Sequence, residues 1–141
     1  MIALILAGGL GTRISNETIA KPKPLILLNK KPILSYIISH YRKYNVNQFL
    51  IAGGYKYKKI IQYFSMLKDK NIFFDKDTST KINKKIYKNF ENSKKKNKYF
   101  LKVINTGLKT KTGGRVMKLK ELLKNYDFFF LLMAMVFQIS I

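Results

Sequence analysis

"LILAGGLGTRISNETIAKPKP", residues 4–24, begins as an apolar run, breaks at two glycines and ends on a lysine held between prolines. Residues 2–7 form a short, unbroken apolar stretch closed by Gly8-Gly9, the pattern of a strand buried on both faces of a parallel sheet. Beyond it, Gly8, Gly9 and Gly11 lack a Cβ and can adopt positive φ, so their backbone N–H groups can approach an anion closely. Such a loop suits phosphates. It is not a P-loop, because no Gly-Lys-Ser/Thr follows at the required spacing. The dinucleotide fingerprint is also excluded, since Ile14 stands where a third glycine belongs. Arg13 adds a fixed cationic fork two residues after Gly11, and Lys23 adds a second cation. Pro22 and Pro24 flank that lysine and are expected to keep its backbone extended, aiming the side chain.

Working outward, Ile33, Leu34, Ile37, Ile38 and Tyr41 recur at helical spacing after Pro32, which fits a first helical turn. Residues 48–52 read as a second strand. Gly53-Gly54 then opens a second helix with Ile60, Ile61, Phe64 and Leu67 facing inward. Residues 71–75 suggest a third strand, whereas residues 76–98 lose clear periodicity and are expected to be a mobile, lysine-rich insertion. Residues 99–105 alternate like a strand, 106–114 form a Thr/Gly/Lys loop, and 115–124 are expected to be one helix. Residues 127–131 complete the series as a buried strand. This order predicts a three-layer α/β sheet with its chemistry in the loops beyond the strand C-terminal ends.

The chain has 141 residues, an apolar fraction of 47% and a formal charge of +21, enough for one packed domain of basic character. Without cysteine there is neither a disulfide framework nor a thiolate metal site, and the single His40 cannot form a histidine cluster. Residues 1–7 lack the basic flank and cleavage site of a signal peptide, so the expected compartment is the cytosol. The surplus charge invites a nucleic-acid reading through counterion release. Its distribution weakens that reading, because 12 of the 28 basic residues fall between Lys68 and Lys102, as expected of a solvated insertion.

Gly8-Gly9-Leu10-Gly11-Thr12-Arg13, followed by Glu17-Thr18 and Lys21-Pro22-Lys23-Pro24, resembles the sugar-1-phosphate nucleotidyltransferases. Within that family, Ser15-x-Glu17-Thr18 and the "NTGLKTKTGGR" of residues 105–115 are most similar to the branch that joins CTP to glucose 1-phosphate. Asn105 stands where that branch usually has Asp. The resemblance implies a truncated, Rossmann-like (glycosyltransferase-A-like) α/β sheet. It implies transfer of CMP from CTP to α-D-glucose 1-phosphate, with release of pyrophosphate. By the same resemblance, the strand end Leu6-Ala7 and the amides of Gly8, Gly9, Leu10, Gly11 and Thr12 would cradle the nucleotide. Arg13 would support the leaving pyrophosphate, Lys23 would sit on the transferred phosphate, and Thr110 and Arg115 would touch the nucleotide or the sugar phosphate. Arg115 is read as a charge at a helix start, which the macrodipole disfavours unless an anion binds there. The rival reading is a non-catalytic module that binds nucleotides or polyanions through its lysines.

The resemblance also implies Mg²⁺, held partly by an Asp in a Tyr-Gly-Asp-Gly segment after the last strand. This chain has Met133-Ala134-Met135-Val136 there, and no carboxylate side chain follows Asp127. Shifting the frame back by one base forces glycine at both Met-Ala and Met-Val junctions. With permitted third bases, residues 131–141 then read Thr-Tyr-Gly-Asp-Gly-Val-Ser-Asp-Ile-Asp. The expectation is therefore a nucleotide-binding part at 1–131, carrying the insertion at 76–98, and a frameshifted tail at 132–141. A membrane anchor is not expected, because a span needs about 20 apolar residues and the run from Phe128 is broken at Gln138.

Overall fold

The computed structural model describes residues 1–9, 21–93 and 97–133. Strand β1 (Ile2–Ala7) is buried at every position, as its unbroken apolar sequence requires. Alternation along it assigns the two faces of the sheet: Ala3, Ile5 and Ala7 join one core, whereas Ile2, Leu4 and Leu6 join the other. Lys23–Leu25 form a single 3-10 turn, and the short strands β2 (Leu27–Leu28) and β3 (Lys31–Pro32) pair antiparallel as a separate hairpin. Lys23 is therefore in a tight turn rather than an extended segment, with extended Pro22 at its N-cap and Pro24 inside it.

Helix α1 (Ile33–Arg42) and helix α2 (Tyr57–Met66) flank β4 (Gln48–Gly53) in sequence. Both cover the first face, burying Leu34 and Ile38 from α1 and Ile60 and Phe64 from α2. Strands β5 (Ile72–Asp75), β6 (Tyr99–Asn105) and β7 (Phe130–Met133) complete a five-stranded sheet in the order β5-β6-β4-β1-β7. All of its pairings are parallel. The second face is covered by helix α3 (Lys84–Asn92), helix α4 (Thr112–Lys118) and helix α5 (Lys120–Leu123), which bring Phe90, Val116 and Leu123 onto it. Helices on both sides of a parallel sheet make the expected three layers.

Three expectations are corrected. The stretch 76–98 contains a real helix, α3, which Asn83 caps by accepting from the N–H groups of Lys85 (3.1 Å) and Ile86 (3.2 Å). Its apolar stripe of Ile86, Tyr87 and Phe90, with Ile82 just before the cap, packs on the sheet, with the Phe90 ring 5.9 Å from Phe73 and 6.0 Å from Phe100. The expected helix at 115–124 starts three residues earlier and divides at Leu119 into α4 and α5. The last strand lies at Phe130–Met133 rather than 127–131, so its pairing with β1 runs past the point where the reading frame was expected to change. Residues 134–141, the rest of the expected frameshifted tail, lie outside the described residues.

The insertion is tied to the sheet by an ion pair as well as by α3. Lys102 on β6 and Asp75 on β5, paired in register, are both fully buried, with Nζ 3.2 Å from Oδ2. The same carboxylate accepts from the backbone N–H groups of Asp77 (3.1 Å) and Asn83 (2.8 Å), so one buried charge orders the entry into α3. Among the described residues no helix is long and apolar enough to cross a membrane.

Candidate functional site

Strand order identifies where a ligand would meet this sheet. The chain proceeds from β1 to β4 on one side and returns to β7 on the other, so the order reverses at β1. Parallel α/β sheets bind ligands outside the strand C-terminal ends at such a reversal. A cleft of about 580 Å³ lies there, bounded by Gly8, Gly9, Lys23, Thr110, Arg115 and Met133. Leu6 and Ala7 form its inner wall at the end of β1. Thus Leu6, Ala7, Gly8, Gly9, Lys23, Thr110 and Arg115 surround one space despite their separation in sequence. Leu10, Gly11, Thr12 and Arg13 lie outside the described residues.

The loop after β6 is folded by local chemistry. Asn105 Oδ1 accepts from the Gly107 N–H at 3.1 Å, and Gly107 adopts φ +97°, a conformation that favours glycine. Thr106 N–H and Oγ1–H both donate to the Gly53 carbonyl at 2.8 Å, fastening the loop to the end of β4. Lys118 Nζ, one turn after Arg115 on α4, donates to Thr106 O at 2.7 Å and Thr110 Oγ1 at 3.1 Å. These contacts bring half-buried Thr110 to the cleft wall.

Arg115 departs from the expectation. It is the fourth residue of α4 rather than a helix start, it is 5% exposed, and its guanidinium donates to protein acceptors. Nη2 donates to Gly8 O at 2.8 Å, and Nη1 to Thr106 Oγ1 at 2.6 Å and Gly107 O at 2.8 Å, with Gly53 O at 3.4 Å. Burial lowers its pKa from the ordinary arginine value. Gly8 also acquires a different role. A Cβ there would lie 2.2 Å from Arg115 Cζ, whereas one on Gly9 would meet nothing within 4 Å. The absent side chain at Gly8 thus makes room for a guanidinium, and Gly9 is the glycine with open space beside it. Sequence reasoning missed Gly54, Thr106 and Lys118. Their signals were the glycine doublets at both strand ends, Gly8-Gly9 and Gly53-Gly54, and the i, i+3 spacing of Arg115 and Lys118.

A larger cavity of about 880 Å³ lies between α1 and α2, lined largely by apolar side chains including Leu25, Tyr36 and Phe64. It lies apart from the sheet's reversal point and the glycine loop, and its one acidic residue, Asp69, accepts from the Asn71 N–H at 2.9 Å. The smaller cleft lies at the strand ends and brings Lys23 and Lys111 beside Gly8 and Gly9, whereas the larger cavity's basic residues, such as Lys30, Lys31 and Lys59, lie away from those strand ends. For Mg²⁺ the fit is poor. Among the described residues no carboxylate lines the cleft and there is no cluster of three or more potential ligands. Hard divalent cations take oxygen ligands, mainly carboxylates, so the described residues do not match the group.

Residues 3–101 match the family described as MobA-like NTP transferase domain. The chain belongs to that family. It is 36% identical over 134 residues to the glucose-1-phosphate cytidylyltransferase of Salmonella typhimurium, covering 92% of this chain and 48% of that protein. It is 34% identical over 128 residues to the probable glucose-1-phosphate cytidylyltransferase of Bacillus subtilis, covering 91% and 48% respectively. The chain spans about half the length of these curated relatives. Its fold is also that of a UDP-glucose pyrophosphorylase solved with UDP-glucose, with TM-score 0.64, 19% identity, and coverage of 94% of this chain and 44% of that one.

Proposed function

We propose that this chain forms the nucleotide-binding half of a sugar-1-phosphate nucleotidyltransferase, with CTP as the nucleotide and glucose 1-phosphate as the acceptor. The observation that carries this reading is the cleft at the reversal point of the sheet, where Gly9, Lys23 and Thr110 converge from three separate segments. The similarity to two glucose-1-phosphate cytidylyltransferases supports the choice of base and sugar.

In the reaction, an oxygen of the sugar phosphate forms a bond to the α-phosphorus of CTP while the bond from that phosphorus to the bridging oxygen breaks. Pyrophosphate leaves with the electron pair. Such a transfer needs positioning and charge stabilisation rather than a protein nucleophile. Lys23 supplies a compact charge for the transferred phosphate, the Gly9 amide and Thr110 hydroxyl supply donors, and Arg13 serves the leaving group. Among the described residues the cleft has no carboxylate to hold Mg²⁺, so the expected behaviour is nucleotide binding without pyrophosphate release.

Calorimetry tests this directly. CTP should bind with base selectivity that persists in salt, and Lys23→Ala should weaken it about tenfold, as removal of a charged hydrogen bond would. Equal affinity for the variant and the parent would remove the role given to Lys23. Binding that collapses steeply with salt and ignores the base would instead favour polyanion binding through exposed lysines such as Lys84, Lys85 and Lys88.

A further inference from the structure

The cavity of about 880 Å³ between α1 and α2 stands apart from the nucleotide cleft. The 3-10 turn divides the two: Lys21 and Leu25 line this cavity, whereas Lys23 and Pro24 line the cleft. Its walls are fastened without a ligand. Ser35 Oγ and Tyr63 Oη, hydrogen-bonded at 2.9 Å, join α1 to α2, and the Tyr36 hydroxyl donates to Leu28 O at 2.8 Å, tying the β2–β3 hairpin to α1.

The lining is apolar within and cationic around it. Leu25, Ile38 and Phe64 are buried, while Leu27 and Met66 are 51% and 72% exposed. Lys21, Lys30, Lys31 and Lys59 reach the cavity from three separate segments, all exposed, and none has a carboxylate partner among the described residues. The acid that lines it, Asp69, already accepts from the Asn71 N–H at 2.9 Å and from the Tyr99 hydroxyl at 3.4 Å. Uncompensated ammonium groups around an apolar interior complement an anion with an apolar body.

The hairpin turn adds an independent observation. Asn29 and Lys30 form it, with φ +49° and +68°. Two-residue turns with positive φ at both centres favour Asn-Gly, because a Cβ at the second position is strained. Lys30 holds that position against the strain and places a cation on the cavity. A second copy of the chain is a poor occupant, since a symmetric contact would set these lysines against one another. A flat bilayer cannot enter the space between two helices. An alkyl chain can, and the volume falls within the roughly 300–1,000 Å³ of small-ligand cavities.

We propose that this cavity binds a free single-chain amphiphile with an anionic head, its alkyl chain lying between α1 and α2 and its head held by the hairpin lysines and Lys59.

Calorimetry of the full chain with dodecanoate, below its micellar concentration, tests the proposal. One equivalent should bind, at least tenfold more tightly than octanoate, since each buried CH₂ is worth up to about fourfold. Acetate, which carries the head alone, and dodecyltrimethylammonium, which reverses its charge, should not bind at the same concentrations. Ser39→Trp, on an exposed position lining the cavity, should fill it and abolish binding. Lys59→Glu should weaken binding about tenfold. Lys30→Gly should weaken it similarly while leaving the melting temperature unchanged or higher, which separates loss of the cation from loss of the fold. Lys84→Glu with Lys88→Glu, a larger change of charge on α3, should have no effect. Binding that the α3 pair weakens as much as Lys59→Glu does, or that survives Ser39→Trp, would assign the affinity to net charge and overturn the proposal. Binding to anionic vesicles without binding to dodecanoate, or a dimer that Ser39→Trp dissociates, would overturn it too, by making a bilayer or a second copy the occupant.

Discussion

Lys102 shows how one residue can control a segment that looks unstructured in sequence. Its ammonium is fully buried, bonded to Asp75 Oδ2 at 3.2 Å and to Asp77 O at 2.5 Å. A buried pair gives little net stability over apolar replacements, yet loss of one member leaves a desolvated charge. Lys102→Met should therefore cost about 3–5 kcal/mol in urea unfolding. Adding Asp75→Asn, which removes the stranded charge, should recover part of that loss. A cost below about 1 kcal/mol would mean that the backbone donors from Asp77 and Asn83 suffice for the carboxylate. Lys102 was legible as a strand residue but not as a buried one, because its neutraliser is 27 residues away and meets it only through the β5–β6 pairing.

Helix α3 is the element that the sequence concealed. Lysines at 84, 85 and 88 dominate its composition, yet Ile86 and Tyr87 share one side with buried Phe90. Four rings, Phe73, Tyr87, Phe90 and Phe100, pack edge to face or tilted, with Tyr87 and Phe100 at 5.2 Å. Phe90 is the member that α3 buries most deeply, so Phe90→Ala should destabilise the protein by about 3–5 kcal/mol. It should also accelerate tryptic cleavage at Lys84, Lys85 and Lys88. Cleavage at the parent's rate would show that the cap at Asn83 and the remaining rings hold the helix without Phe90. Tertiary packing rather than propensity makes a helix this short stable, which is why periodicity over so few residues did not reveal it.

At the scale of the molecule, burial of two phenols couples stability to alkaline pH. Burial is the main cause that raises the pKa values of Tyr87 and Tyr99 above the ordinary 10.0, with Tyr126 adding to the first and Asp69 to the second. A phenol whose folded pKa is raised stays neutral in the native state after it has begun to ionise in the unfolded chain. Its contribution to stability is complete below pH 10 and is lost progressively as pH rises beyond it. The melting temperature should therefore fall above about pH 10, and the double variant Tyr87→Phe with Tyr99→Phe should flatten that fall. Identical pH profiles for parent and variant would assign the alkaline loss to other groups.

The sequence by itself determined β1 and its abrupt glycine end, the two helices on the first face, the α/β class, and the family through the Gly-Gly-Leu-Gly-Thr-Arg and Lys-Pro-Lys-Pro motifs. These are local signals: an unbroken apolar run, a 3.6-residue period and residues adjacent in the chain. Only the tertiary structure decided which groups meet across long separations. Arg115 reads in the sequence as a charge at a helix start that an anion would have to stabilise. It is buried because Gly8, 107 residues before it, leaves a socket and offers a carbonyl. Burial of a guanidinium is tolerable only when fixed acceptors replace water, and here they come from the ends of three neighbouring strands whose order local sequence does not specify.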